Sequence, residues 1–275
     1  MTRLAEYVDS RDLTANLTLR ELRSRYKRSF LGWTWSLLNP LSTVITFSLV
    51  FAYFLKIQPP VGHPSGLHNF AMFLLCGLLP FNYLSNGMNA SLDALLGNSN
   101  LIRKVYFPRE VLVVSGVGSL LVTLLVEFSV LIVILLLLGN MVLPWLPMLL
   151  VIVAIQSVFV LGIGLTLSVL NVYFRDVKHF VGIALQALFY SAPIVYPISY
   201  VANRHPVILG WQVPLLRIYE LNPLVKFVQV YRDVLYDLRF PSLINLGYLT
   251  AWAAALLALG LWVFSRLDRR LAEEV

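Results

Sequence analysis

The sequence predicts an all-α integral membrane protein: six transmembrane helices, an N-terminal amphipathic interfacial helix, and a helical hairpin on the outer side before the last span. Three observations lead there. Of 275 residues, 59% are hydrophobic and only 13% charged, where a soluble domain carries about 25% charged residues. Six segments are apolar over roughly the 20 residues that cross ~30 Å of hydrocarbon as a helix. The basic residues gather on one side of those segments. No compact soluble fold of this length buries so much apolar surface, so most soluble enzyme classes are excluded.

In chain order, residues 1–34 are expected to form a tail and interfacial helix, 35–266 a six-span core and 267–275 a second tail. Together they make one transmembrane domain over 1–275. Residues 1–30 mix Arg3, Glu6, Asp9, Arg11, Asp12 and Glu21 with scattered leucines, unlike the apolar core of a cleavable signal. Ala15, Leu19, Leu22, Tyr26, Phe30 and Trp33 fall on one helical stripe, with Leu13 and Leu17 off it. Arg20, Arg23, Arg25, Lys27 and Arg28 occupy the remaining surface. Such a helix belongs in the headgroup plane, where anionic lipid attracts each Lys or Arg by about 1 kcal/mol. Two readings stay open: a topology anchor only, or a doorway at which Arg25, Lys27 and Arg28 meet an anionic lipid-linked substrate.

The spans are Trp35–Leu55, Phe70–Met88, Val111–Leu138, Leu146–Leu170, Phe180–Tyr200 and Leu246–Phe264. The third is long and should tilt. Fifteen of the 21 Lys and Arg lie in the termini and even-numbered loops, so the positive-inside rule puts both termini in the cytoplasm. In the outer loop 201–245, Asn222-Pro223 marks a helix start. Leu224, Phe227, Val228, Tyr231 and Leu235 follow at helical spacing, with Lys226, Arg232, Asp233 and Asp237 on other faces. This helix is expected to lie at the outer surface or dip into it, with Trp211–Tyr219 as the first arm of a hairpin.

Little points to catalysis. The single Cys76 permits no intramolecular disulfide, and His63, His68, His179 and His205 lack metal-site spacing. Glu127 is the one acid inside a span, either polar glue between helices or part of a pore lining. Arg175-Asp176 reads as a local ion pair in a tight turn.

Four stretches resemble one family in order and spacing. Arg25-Tyr26-Lys27-Arg28-Ser29-Phe30-Leu31-Gly32-Trp33-Thr34-Trp35, with Leu38-Asn39-Pro40-Leu41, is similar to the run linking the interfacial helix to the first span in ABC-2-type permeases. The nearest branch is the polysaccharide exporters (O-antigen, teichoic acid and related lipid-linked glycans). Residues 98–110 resemble that family's first cytoplasmic loop. Asn171–Val177 and Ser191–Pro197 resemble its turn into the fifth span and the fifth span itself. Leu221-Asn222-Pro223 resembles the start of its outer re-entrant region.

The resemblance implies an ABC-2 (type V exporter) permease fold in a bacterial inner or plasma membrane. Two copies would pair with each other and with two ABC ATPase subunits. The chain has no G-x-x-x-x-G-K-[ST] loop, so ATP and Mg would be held by the ATPase, with no cofactor on this chain and no nucleic-acid partner. Asn100, Leu101, Ile102, Arg103, Lys104, Val105, Tyr106 and Phe107 would form the loop that docks on the ATPase, apolar groups among charges suiting a partner surface. Arg25, Lys27 and Arg28 would admit the lipid phosphate. Phe47, Phe51, Tyr53, Phe54, Phe81, Tyr83, Phe189, Tyr190 and Tyr196, with Glu127, become channel-lining candidates. Helix packing and interface belts are the other reading of those rings. Rival functions are export of a small hydrophobic or drug-like substrate, and a membrane-embedded glycosyl- or acyltransferase.

Overall fold

The computed structural model describes residues 11–25, 32–105, 107–202, 207–208, 211–212 and 215–274. Helix α1 is Arg11–Arg25 and α2 is Trp35–Phe47, continued by a wider π-helical stretch, Ser48–Phe54. Then come α3 Phe70–Ala94, the short α4 Ser99–Lys104, α5 Glu110–Leu137, α6 Leu146–Tyr173 and α7 Val177–Ser191. The short α8 Ser199–Ala202 leads to a two-residue strand pair, β1 Val207–Ile208 with β2 Trp211–Gln212. Helices α9 Leu215–Glu220, α10 Pro223–Arg232 and α11 Leu243–Glu274 complete the chain, with a π-helical turn Asp233–Asp237 after α10.

Among the described residues, five helical segments are long and apolar enough to cross a membrane: Trp35–Phe54, Phe70–Ala94, Glu110–Leu137, Leu143–Tyr173 and Leu243–Leu267. Helix is the form a chain takes in lipid because each backbone N–H and C=O is satisfied within the segment. The boundaries are set locally. Asn69 caps α3, its side chain accepting from Met72 N at 3.2 Å, and Gly139, at φ 84°, closes α5 in the left-handed conformation glycine tolerates.

The fifth expected span is corrected. Phe180–Tyr200 is not one helix: α7 has 15 residues, a rise of about 22 Å, and the chain turns extended at Ala192. Pro193 and Pro197 lack the N–H a helix needs, and a proline disfavours the helical conformation in the residue before it.

Helix α3 is the core of the bundle, buried almost continuously from Phe70 to Leu84 and packed by α5, α6 and α10. Elsewhere apolar side chains such as Ile45, Val133, Ile183 and Trp262 face outward, where lipid is the solvent. The closest helix pair is α6 with α11. A Cβ on Gly162 would strike the backbone of Leu256 and Leu257, and one on Gly260 would strike the Gly162 carbonyl. Small residues let the two backbones approach, which is how helices gain packing in lipid.

Polar contacts mark the two ends of the bundle. At one, Tyr173 donates to the Leu267 carbonyl (3.3 Å), Asn171 to that of Leu92 (2.8 Å) and Arg20 to the Asn98 side chain (2.6 Å). Both the described N-terminal helix and the end of α11 lie there. At the opposite end, Asn140 donates to the Leu235 carbonyl (2.9 Å) and Tyr236 to that of Pro60 (2.9 Å).

Helix α1 departs from the expected stripe. Leu17 and Leu22 are buried and Leu13 packs with them, while Ala15 and Leu19 are exposed. The helix seats on α5, where Thr18 adjoins Gly118. The Thr18 hydroxyl donates to the Thr14 carbonyl (2.8 Å), which leaves its methyl free to pack. A purely hydrophobic stripe passes over those threonines.

Candidate functional site

The outer segment after Asn222 carries the most constrained polar group. Asn222 caps α10, accepting from Leu224 N at 3.0 Å, with Pro223 in the first turn. Rather than lying on the surface, α10 is inserted into the bundle: Leu224, Val225, Phe227, Val228, Val230, Tyr231 and Arg232 are all buried. Tyr231 donates to Gln156 Oε1 (2.6 Å), Gln156 donates to the Pro80 carbonyl (2.8 Å), and Phe128 stacks on the Tyr231 ring at 5.5 Å.

Arg232, 8% exposed, is answered by carbonyl dipoles. Its Nη1 donates to the Pro193 carbonyl (2.5 Å) and its Nη2 to that of Ile194 (2.7 Å). Nε and Nη2 also donate to the Phe73 carbonyl (3.3 and 3.2 Å), and the guanidinium lies 3.5 Å from the Phe73 ring centroid. Pro193 and Ile194 sit where α7 breaks, so Arg232 ties the break to α3 and α10. In the sequence this residue reads as one more outer-loop cation. Its burial among apolar positions, one turn after Val228, was the available signal.

Arg232 also forms part of the wall of a cavity of about 750 Å³ at the end opposite the termini. Asp233 and Asp237 line it as well, and both engage Arg239. Burial raises both carboxyls above the ordinary aspartate range, with Arg239 opposing.

At the end bearing the termini, a second cavity of about 580 Å³ lies between α1, α3 and the start of α5. Arg20, Glu21 and Arg25 line one wall, Asp93 and Asn98 another. Lys178 pairs with Asp93 at 2.8 Å. Arg25 is thus placed at a cavity mouth; Lys27 and Arg28 lie outside the described residues.

In the expected docking loop, a 3₁₀ turn at Leu96–Asn98 precedes α4. Asn100, Arg103, Lys104 and Val105 are exposed, whereas Leu101, Ile102 and Phe107 pack inward against the core. Tyr106 lies outside the described residues. Of the described apolar side chains in this loop, Val105 is the one that is exposed.

The expected channel aromatics divide. Phe47 contacts Phe51 (5.5 Å) and Phe189 (5.9 Å), and Phe189 contacts both Phe81 and Tyr190 (each 5.2 Å), a connected row across α2, α3 and α7. Tyr53 and Phe54 touch each other on the exposed end of the π-helical stretch. Tyr196 donates to the Tyr190 carbonyl (2.8 Å) and shares a hydrogen bond with Tyr219 (3.1 Å). Tyr83 is buried with its hydroxyl on Ser157 (3.0 Å), a packing position. Glu127, on α5, is half-buried and makes no hydrogen bond or ion pair among the described residues. No group of three or more potential metal ligands occurs among the described residues.

The family model described as ABC-2 type transporter matches residues 13–236. The chain is 30% identical over 265 residues to the O-antigen export system permease protein RfbA of Klebsiella pneumoniae, covering 95% of this chain and 94% of the relative. It is 30% identical over 274 residues to the protein of that name from Myxococcus xanthus, covering 98% of each. It is also 25% identical over 259 residues to the polysialic acid transport protein KpsM of Escherichia coli, covering 90% of each.

Proposed function

Because this chain belongs to the ABC-2 type transporter family, as a multi-pass, non-catalytic membrane subunit without a cofactor of its own, we propose that it exports a lipid-linked polysaccharide. The observation that carries this reading is similarity along nearly the whole chain to permeases named for O-antigen export. Membership of a non-catalytic family sets aside the glycosyl- or acyltransferase alternative.

Two copies form the pathway, with two ATPase subunits supplying ATP and Mg on the cytoplasmic side of the bacterial inner or plasma membrane. Helix α7 and the turns after it make the fifth of six crossings. In support, Lys178 is paired at the terminal end and Ile198 lines the cavity at the other. Six crossings place both termini on one side, and the positive-inside bias makes that side the cytoplasm. The outward apolar faces of α2 and α7, which flank the aromatic row at Phe47 and Phe189, favour that side for the second copy. Rings offer the glycan a path with few strong hydrogen bonds.

The lipid phosphate is admitted by Arg25, at the terminal-end cavity, together with Lys27 and Arg28 next to it in the sequence, since charge-assisted hydrogen bonds replace the hydration a phosphate loses on leaving the headgroup layer. Residues 100–107 transmit ATPase closure to the spans. Deleting the gene should abolish surface polysaccharide and leave lipid-linked polymer inside the cell, restored by the wild-type copy. Normal surface polysaccharide in the deletion strain would refute the reading.

A further inference from the structure

The cavity at the end opposite the termini has a chemistry of its own. We propose that it is a subsite for an uncharged, hydroxyl-rich sugar unit of the emerging glycan. This rests on the polysaccharide reading above and adds an exit-side binding site to it. The volume, about 750 Å³, lies within the ~300–1,000 Å³ range of small-ligand sites.

Its charges cancel. Glu220, Asp233 and Asp237 line it together with Lys226, Arg232 and Arg239. A phosphate or an acidic sugar would meet three carboxylates and gain no net field. Arg232 is committed to the carbonyls of Phe73, Pro193 and Ile194 and serves as a fixed wall. The remaining groups keep hydrogen-bonding capacity. Lys226 and Glu220 stand 3.7 Å apart, beyond hydrogen-bond reach. Gln229 lines the cavity and its buried Oε1 has no partner among the described residues. A buried acceptor left unpaired is costly, and a turn of the Gln229 amide toward a ligand hydroxyl recovers that cost. The Phe240 ring in the same lining offers an apolar plane to the C–H face of a pyranose. Carboxylate, amide and ring together suit a neutral sugar better than an ion.

The test uses the full permease–ATPase complex in nanodiscs. Fragments of two to six sugars, phosphate-free, are released by mild acid from the surface polysaccharide of cells carrying the transporter. Cys76 is the chain's one cysteine and is buried, while Ser199 lines the cavity and is exposed. Ser199→Cys therefore supplies one reactive thiol on the permease band, and its maleimide labelling reads occupancy. The fragments should slow labelling. Gln229→Ala or Glu220→Gln in that background should raise the half-protecting concentration at least tenfold, with ATPase recovery and thermal midpoint undiminished. Inorganic pyrophosphate should leave the labelling rate unaltered. Absence of protection by every fragment, or equal protection in both variants, would overturn the subsite, and equal protection by pyrophosphate would overturn its neutral-sugar assignment. The gene deletion separates the two levels: lost surface polysaccharide with unprotected Cys defeats the subsite alone, whereas normal surface polysaccharide defeats the export reading.

Discussion

The guanidinium of Arg232 stacks 3.5 Å from the ring centroid of Phe73 and donates to the carbonyl of that same residue. One residue of α3 thereby fixes both the plane and the azimuth of the cation, through its ring and its carbonyl, and the remaining donors reach the broken end of α7. The inserted helix, the helix break and the central helix form one mechanical unit.

Replacing Arg232 with Met should show what that unit contributes. Carbonyls of Phe73, Pro193 and Ile194 lose their donor, at roughly 1–3 kcal/mol for each buried group left unsatisfied. The expected result is a thermal midpoint several degrees lower in detergent and faster proteolysis near residues 192–198. Arg232→Lys should recover only part of the loss, since an ammonium lacks the planar fork that reaches three carbonyls. Wild-type stability in Arg232→Met would show the clamp to be idle.

The α6–α11 crossing leads to a second expectation. In Gly162→Ala the added carbon meets the backbone of Leu256 and Leu257, and backbone cannot swing aside as a side-chain tip does. Overpacking of this kind costs about 1–3 kcal/mol. Gly247→Ala on α11, with no atom near its added carbon, should be neutral or gain up to about 1 kcal/mol from helix propensity. Equal midpoints for both variants, measured by thermal size-exclusion, would count against the close crossing.

For the docking loop, exposure separates two substitutions that look alike in the sequence. Val105 is 51% exposed, so Val105→Asp should insert and fold normally yet fail to recover the ATPase in a pull-down. Central contacts of an interface commonly carry 2 kcal/mol or more. Phe107 packs inward, and Phe107→Asp should lower the yield of folded permease before any question of docking arises. Full ATPase recovery by Val105→Asp would remove this loop from the interface.

Neutralising Arg25, Lys27 and Arg28 together to Gln should reduce export and substrate-stimulated ATP hydrolysis per assembled complex, with assembly preserved. A helix that served only as an anchor would instead lose membrane yield or topology and keep normal transport per inserted molecule. Protease protection checks topology, and export per complex distinguishes the outcomes.

How much of this was legible in the sequence depends on how local each determinant is. Transfer of a side chain to lipid depends on that side chain, so a run such as Leu146–Leu170 declares a span without reference to its neighbours. Caps are equally local: Asn222-Pro223 announced the start of α10 correctly. The prolines at 193 and 197 also stood in plain view, but a hydropathy run averages over them, and the span Phe180–Tyr200 was drawn unbroken.

By itself, then, the amino-acid sequence determined an apolar helical chain, the places where most helices begin and end, and, through its motifs, the family. Only the tertiary structure decided that α10 enters the bundle, that Leu13 and Leu17 seat α1 on α5, and that Arg232 is a clamp. The reason is physical separation along the chain. Arg232 finds its acceptors 39 and 159 residues away, and a cation's role is set by which carbonyls surround it after folding, a property that no window of neighbouring residues contains.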